Sequence, residues 1–61
     1  MAKYTYFIES VIGNDWVTIL RAPLHRLRDI IDVRKQYQIR TSYRLVRSDG
    51  KILDEVASTI H

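Results

Sequence analysis

The stretch PLHRLRDIIDVRKQ, residues 23–36, decides the fold, because the spacing of apolar residues changes there from two to three and four. Pro23 suits the first position of a helix, where its missing N–H costs nothing. The pattern predicts an amphipathic helix of about three turns that ends near residue 36, with Tyr37 extending its apolar side. The apolar positions that define this helix are Leu24, Leu27, Ile30, Ile31 and Val33.

Two strands are predicted before the helix. Residues 3–12, KYTYFIESVI, and residues 16–22, WVTILRA, are rich in aromatic and β-branched side chains, which favour strands. The residues GND at 13–15 lie between them as a turn, so the two strands form an antiparallel hairpin. Alternation places Tyr4, Tyr6 and Ile8 on one face, and Thr5, Phe7 and Glu9 on the other.

Two further strands are predicted after the helix. Residues 39–47, IRTSYRLVR, and residues 51–57, KILDEVA, flank the turn SDG at 48–50. The element order is therefore ββαββ. Since an amphipathic helix must bury its apolar side, the sequence predicts an α+β fold with one helix packed on a four-stranded antiparallel sheet. The other face of the sheet stays open to water.

Size and composition exclude several classes of protein. A chain of 61 residues forms a single domain, residues 1–61, and an apolar fraction of 46% favours a folded one. The absence of Cys excludes disulfides and thiolate metal sites. No apolar run approaches the roughly 20 residues of a membrane helix, and residues 1–20 lack the pattern of a signal peptide. The expected location is the cytoplasm, or the host cytoplasm for a phage-encoded protein.

Positive charge is concentrated in the middle of the chain. Residues 21–51 hold nine basic side chains, most of them Arg, against three acidic ones, although the net charge of the whole chain is only +3. Arginine makes bidentate and stacked contacts, so this distribution favours recognition of a partner. The outward side of the helix is nevertheless balanced, because Arg28 and Lys35 are spaced to pair with Asp32, and it is interpreted as solvated surface.

A basic patch is predicted where the helix ends and the third strand begins. Arg34 falls inside the apolar side of the helix, so either its stem lies along the core while its head reaches water, or the helix frays near it. Arg40 and Arg44 alternate onto the open sheet face, opposite to Tyr43 and Leu45. The predicted partner-binding residues are Arg34, Lys35, Arg40, Arg44 and Arg47, which together form a candidate surface for an anionic group.

The closing hairpin leaves two possible partners for Arg44. A two-residue turn at 49–50 places Arg44 opposite Glu55, whereas a three-residue turn with a glycine bulge places it opposite Asp54. Either pairing would contribute about 0.2–1 kcal/mol and would make Arg44 less available to a ligand.

Groups that support catalysis or cofactor binding are not recognisable. Gly13 and Gly50 stand alone in turns rather than in a phosphate-binding loop, and His25 and His61 have no companions that complete a metal site. The expectation is a protein that is not an enzyme and has no cofactor. Base stacking on Tyr4, Tyr6 and Trp16 is conceivable, but a core role is favoured for such residues in so small a domain.

The layout of the chain resembles a set of small phage-encoded proteins. The segments that carry the resemblance are YTYFIES, RAPLHRLRDII and YRLVRSDGKILDE. The set includes some anti-CRISPR proteins and inhibitors of host RNA polymerase, and the resemblance implies a non-enzymatic inhibitor or adaptor that docks on a nucleic-acid-handling protein or ribonucleoprotein. Direct nucleic-acid binding and a structural homodimer are the two alternatives.

Overall fold

The computed structural model describes residues 3–59 and has the predicted ββαββ order. One helix packs on one face of a four-stranded antiparallel sheet whose strand order is β2-β1-β3-β4, so the α+β prediction is confirmed. The elements are β1 (Tyr6–Ile12), β2 (Asp15–Arg21), α1 (Leu24–Arg34), β3 (Tyr43–Arg47) and β4 (Ile52–Val56). Within residues 3–59, no helix has the length and apolarity needed to cross a bilayer.

The first hairpin turns in two residues rather than the predicted three. Ile12 pairs with Asp15, so Asp15 belongs to β2 and only Gly13 and Asn14 form the loop. Gly13 has a φ of 65°, and no described non-glycine residue has a positive φ. A positive φ at the first loop position alone matches the right-handed twist of the flanking strands, and glycine adopts it without a steric penalty.

The second hairpin combines the two predicted alternatives. The Arg47 N–H donates to the Lys51 carbonyl at 2.8 Å, which closes a three-residue loop that ends at Gly50 with a φ of 93°. A bulge at Leu53 then shifts the register between Leu45 and Val46. Arg44 therefore lies opposite Glu55, the position predicted from a shorter turn. The spacing of the turn residues in the sequence does not predict this bulge at Leu53.

The third strand begins at Tyr43, four residues later than predicted. Residues 39–42 form a loop instead, and this loop carries Ile39 into the core with 6% of its surface exposed. Thr59 holds the loop in place: the Ile39 N–H donates to its Oγ1 at 2.9 Å, and the Thr59 N–H donates to the Ile39 carbonyl at 3.0 Å. Contacts between residues so far apart in sequence cannot be inferred from local pattern.

The helix faces the core with the residues that its spacing predicts, and Leu27 and Ile31 are fully buried. Pro23 lies one residue before the helix, as its N-cap, with an extended ψ of 147°. Val33 and Tyr37, predicted on the apolar side, are instead 51% and 65% exposed. The buried core consists of Ile8, Leu27, Ile31, Ile39, Leu45 and Val56.

Tyr37 lies beyond α1, which ends at Arg34, whereas the position of α1 over the sheet accounts for the exposed apolar residues of β2. The helix packs mainly on β1, β3 and β4, whereas β2 makes most of its contacts with β1. The part of the helix-facing sheet surface formed by β2 is thus left largely uncovered. The apolar side chains of Ile19 and Leu20 in β2 therefore stay partly exposed.

Candidate binding surfaces

Arg44 lies at the centre of the open face, the sheet surface turned away from α1, where alternation with Leu45 places it. Its Nε donates to Oε1 of Glu9 in β1 at 2.6 Å, and its guanidinium lies 4.2 Å from the ring centroid of Trp16 in β2. The side chains of Arg44 and Glu9 are 23% and 20% exposed. Arg44 thus lies opposite Glu55 in β4, one of the two predicted positions, but its ion pair is made with Glu9 in β1.

Lys35 follows the last residue of the helix and is tied to β4. Its Nζ lies 2.7 Å from Oδ2 of Asp54 and 3.9 Å from Oδ1 of Asp32. The hydrogen bond with Asp54 raises the pKa of Lys35 and lowers the pKa of Asp54, since each charge stabilises the other. This ion pair links the end of the helix to the edge of the sheet.

Arg47 is held at the other end of β3 by the turn that follows it. Its Nε and Nη2 donate to the two carboxylate oxygens of Asp49 at 2.8 and 2.7 Å, and its guanidinium lies 4.1 Å from the ring centroid of Tyr4. The hydrogen bond from Arg47 lowers the pKa of Asp49 to about 2. Such a two-pronged contact orders the turn more strongly than a single ion pair would.

Arg34 and Arg40 have no ion pair with any of residues 3–59. The Arg34 guanidinium lies 5.3 Å from the ring centroid of Tyr43, on the helix side of the sheet, and Arg40 is exposed in the loop before β3. The predicted set is therefore not gathered into one patch. Arg34 and Arg44 face opposite sides of the sheet, and Arg47 lies about 13 Å along β3 from Tyr43.

The three aromatic residues considered for base stacking do not share a face either. Tyr6 packs against the core and Tyr4 lies under Arg47, both on the helix side. Trp16 lies under Arg44 on the open face. Phe7 lies on the same face but farther along the β1–β2 pair, opposite Arg21, whose guanidinium lies 6.0 Å from its ring centroid.

An apolar groove runs between α1 and β2 over the uncovered part of the sheet. It encloses about 330 Å³. We call it the α1–β2 groove; it is lined by Ile8, Ile19, Leu20, Ile30, Ile31, Arg34 and Tyr43. Ile19 and Leu20 are 48% and 38% exposed, and Val17, two residues before Ile19 in β2, is 39% exposed. Clustered exposed apolar side chains of this kind mark interaction surfaces.

A β-bulge in β2 produces much of this apolar surface. Leu20 pairs with Ile8 and Thr18 pairs with Glu9, which leaves Ile19 without a partner in β1. In a regular strand two consecutive side chains point to opposite faces, but here both Ile19 and Leu20 line the groove. Bulges re-aim side chains in this way next to functional sites.

The sequence pattern did not locate this groove. Ile19 and Leu20 are adjacent apolar residues, but so are Trp16 and Val17, which pair regularly with Val11 and Ser10 in β1. The groove also depends on where α1 lies over the sheet, which local pattern does not determine.

No protein-family model, curated protein or solved structure matches this chain. Within residues 3–59, no three His, Cys, Asp or Glu side chains cluster in a way that could hold a metal ion. The candidate surfaces must therefore be judged on their own geometry and charge.

Proposed function

We propose that the protein is a small non-enzymatic binding module that docks onto a protein or ribonucleoprotein partner. The α1–β2 groove is the observation that supports this most directly. A 61-residue chain with a small core leaves Ile19 and Leu20, which line this groove, 48% and 38% exposed. Exposing them contributes nothing to folding, whereas covering them by a partner removes apolar surface from water at about 25 cal/mol per Å².

The charges support a protein surface as the main contact. Three of the five predicted cations, namely Lys35, Arg44 and Arg47, already have carboxylate partners within the chain. Arg34 and Arg40 lack such a partner among residues 3–59, and they are the members of the predicted set that remain for an acidic group. Arg34 lines the groove itself, so an apolar and a charged contact are available side by side.

The partner is proposed to handle nucleic acid, with the protein acting as its inhibitor or adaptor. The support for this step is the resemblance in layout to small phage inhibitors and the excess of Arg in residues 21–51. A module of this size can block such a partner by occupying a site intended for nucleic acid or for a subunit.

An affinity capture with a matched pair of variants tests the proposal. Ile19 and Ile52 are 48% and 47% exposed, and each lies in an edge strand beside a bulge, but they face opposite sides of the sheet. The chain is used to capture its partner from a lysate of the cell that expresses it. The captured partner should stay bound after nuclease treatment. Ile19→Glu should weaken capture at least about ten-fold, a loss typical of a central interface residue, while Ile52→Glu should not. Equal capture by both variants would contradict the proposal.

Direct nucleic-acid binding is the second candidate, and the open face favours it. Phe7 and Trp16 lie there beneath Arg21 and Arg44, which is a combination that single-stranded nucleic acids use for stacking and backbone contact. Salt separates the two candidates. Binding through about six phosphates should weaken by roughly three orders of magnitude between about 50 and 200 mM salt, whereas an apolar protein contact should change far less.

A further inference from the structure

We infer that the α1–β2 groove receives an amphipathic helix from the partner protein, with an acidic residue at the border of that helix's apolar side. This inference rests on the proposed function and specifies what the groove binds. Helix-in-groove docking is a recurring way in which small domains recognise partners, and it depends on apolar anchors spaced three and four residues apart.

The dimensions of the sheet leave room for one more helix. Strands lie about 4.8 Å apart, so the outer two of four strands are separated by about 14 Å. Neighbouring packed helices lie about 8–10 Å from one another, and α1 is positioned mainly over β1, β3 and β4. The free space therefore lies over β2, beside α1, and a helix placed there would cover both walls of the groove.

The bulge in β2 points to a use of this space beyond folding. Thr18 and Leu20 keep their partners Glu9 and Ile8 on either side of Ile19, so the ladder does not require the extra residue. Its effect is to turn a second large apolar side chain towards the groove, where 48% of its surface stays exposed. A local irregularity with no gain in packing is expected at a functional site.

Arg34 determines the charge of the occupant. Its side chain lines the groove, its guanidinium lies over Tyr43, and it has no ion pair within residues 3–59. An Asp or Glu at the edge of an incoming apolar stripe would meet this guanidinium in a partly desolvated setting, where a charge-assisted hydrogen bond is strongest. A basic residue at the same place would be repelled.

Two other occupants fit the groove less well. A second copy of this chain could offer only α1 as a helix from its described residues. That helix already buries Leu27 and Ile31 against its own sheet, so the side left to face the groove is charged. A strand added to the free edge of β2 would project its side chains beyond β2, away from the space between β2 and α1. An amphipathic helix from a different protein would contact both α1 and β2 with its apolar side.

Two helical peptides of about four turns test the inference directly. Each carries a Leu stripe, and they differ in having Glu or Lys at the border of the stripe. Titrated into the ¹⁵N-labelled protein, the Glu peptide should shift the amide signals of Ile19, Leu20 and Ile30. It should also bind about five-fold or more tightly than the Lys peptide, a difference typical of one charge pair.

Three variants of the protein extend this test. Arg34→Glu should reverse the preference for the Glu peptide over the Lys peptide. Deletion of Ile19 should abolish groove shifts while the chain stays folded, and Ile52→Glu should change nothing.

Other results would overturn the inference. These are peptide shifts centred on Phe7 and Trp16, tighter binding of an extended Val/Thr/Glu peptide than of the helical one, or a dimer in sedimentation whose interface protects the groove. Failure of the helical peptides, together with partner capture that still depends on Ile19, would reject the helix and leave the proposed function standing. Capture that ignores Ile19 would reject the proposed function as well.

Discussion

Replacement of Arg44 by Glu is expected to destabilise the fold, because Arg44 is part of the sheet rather than a free surface cation. The substitution removes the 2.6 Å contact with Glu9 and the stacking on Trp16. It also places a second carboxylate directly opposite Glu9 in β1 and opposite Glu55 in β4. Every neighbouring group therefore changes from favourable to unfavourable.

The size of the effect follows from these three contacts. A hydrogen bond between charged groups is worth about 1.5–3 kcal/mol, and the lower end applies because both side chains keep about a fifth of their surface in water. Stacking of the guanidinium on the half-buried Trp16 indole adds about 0.5–1 kcal/mol. Like charges directly opposite in a sheet cost up to about 1 kcal/mol. The expected loss is about 2–4 kcal/mol, out of a total stability of roughly 3–9 kcal/mol for a domain of this length.

Urea denaturation followed by far-ultraviolet circular dichroism measures this loss without relying on Trp16 fluorescence, which the substitution itself would alter. Arg40→Glu is the matched control, since Arg40 is exposed and has no ion pair within residues 3–59; its stability should stay within about 0.5 kcal/mol of the parent chain. The charge-swapped Glu9→Arg, Arg44→Glu chain should recover part of the loss. Equal unfolding midpoints for Arg44→Glu and Arg40→Glu would refute the structural role of Arg44.

Two further predictions concern the core and the second turn. Leu27→Ala should lower the free energy of unfolding by about 2–5 kcal/mol because Leu27 is fully buried. Val33→Ala in the same helix should lower it by under about 1 kcal/mol because Val33 is 51% exposed. Similar melting temperatures for the two variants would mean that the helix is rotated. The pKa of Asp49 is lowered from 3.8 to about 2, so its stabilising effect should be complete above about pH 5 and fade as pH falls from about 4 to 2. The gap in urea midpoint between the parent chain and Asp49→Asn should therefore be mostly lost by about pH 2, and a gap that stays constant across this range would argue against the contact with Arg47.

The local sequence pattern was sufficient to predict a helix or a turn wherever the residues of that element alone determine its conformation. The three- and four-residue spacing of Leu27 and Ile31 marks one side of a helix irrespective of what covers it, and both residues are buried as predicted. Gly13 and Gly50 likewise mark turns because few other residues adopt a positive φ. These are properties of a few consecutive residues, so they can be inferred from sequence.

The candidate site depended on contacts between distant residues. The placement of Arg44 on the open face follows from alternation within β3, but its pairing with Glu9 required knowing that β3 lies beside β1. Five Arg and Lys residues close in sequence were predicted to form one surface, yet the two faces of a sheet separate Arg34 from Arg44.

Sequence by itself determined the helix, the two turns and the ββαββ order, because hydrophobic period and glycine conformation are local. Tertiary structure alone decided that α1 covers β1, β3 and β4 and leaves β2 bare, and therefore that Ile19, Leu20 and Ile30 line a groove. The physical reason is that one helix is narrower than a four-stranded sheet. Which edge of the sheet stays uncovered is settled by packing among residues such as Ile31, Ile39 and Leu45, which lie far apart along the chain.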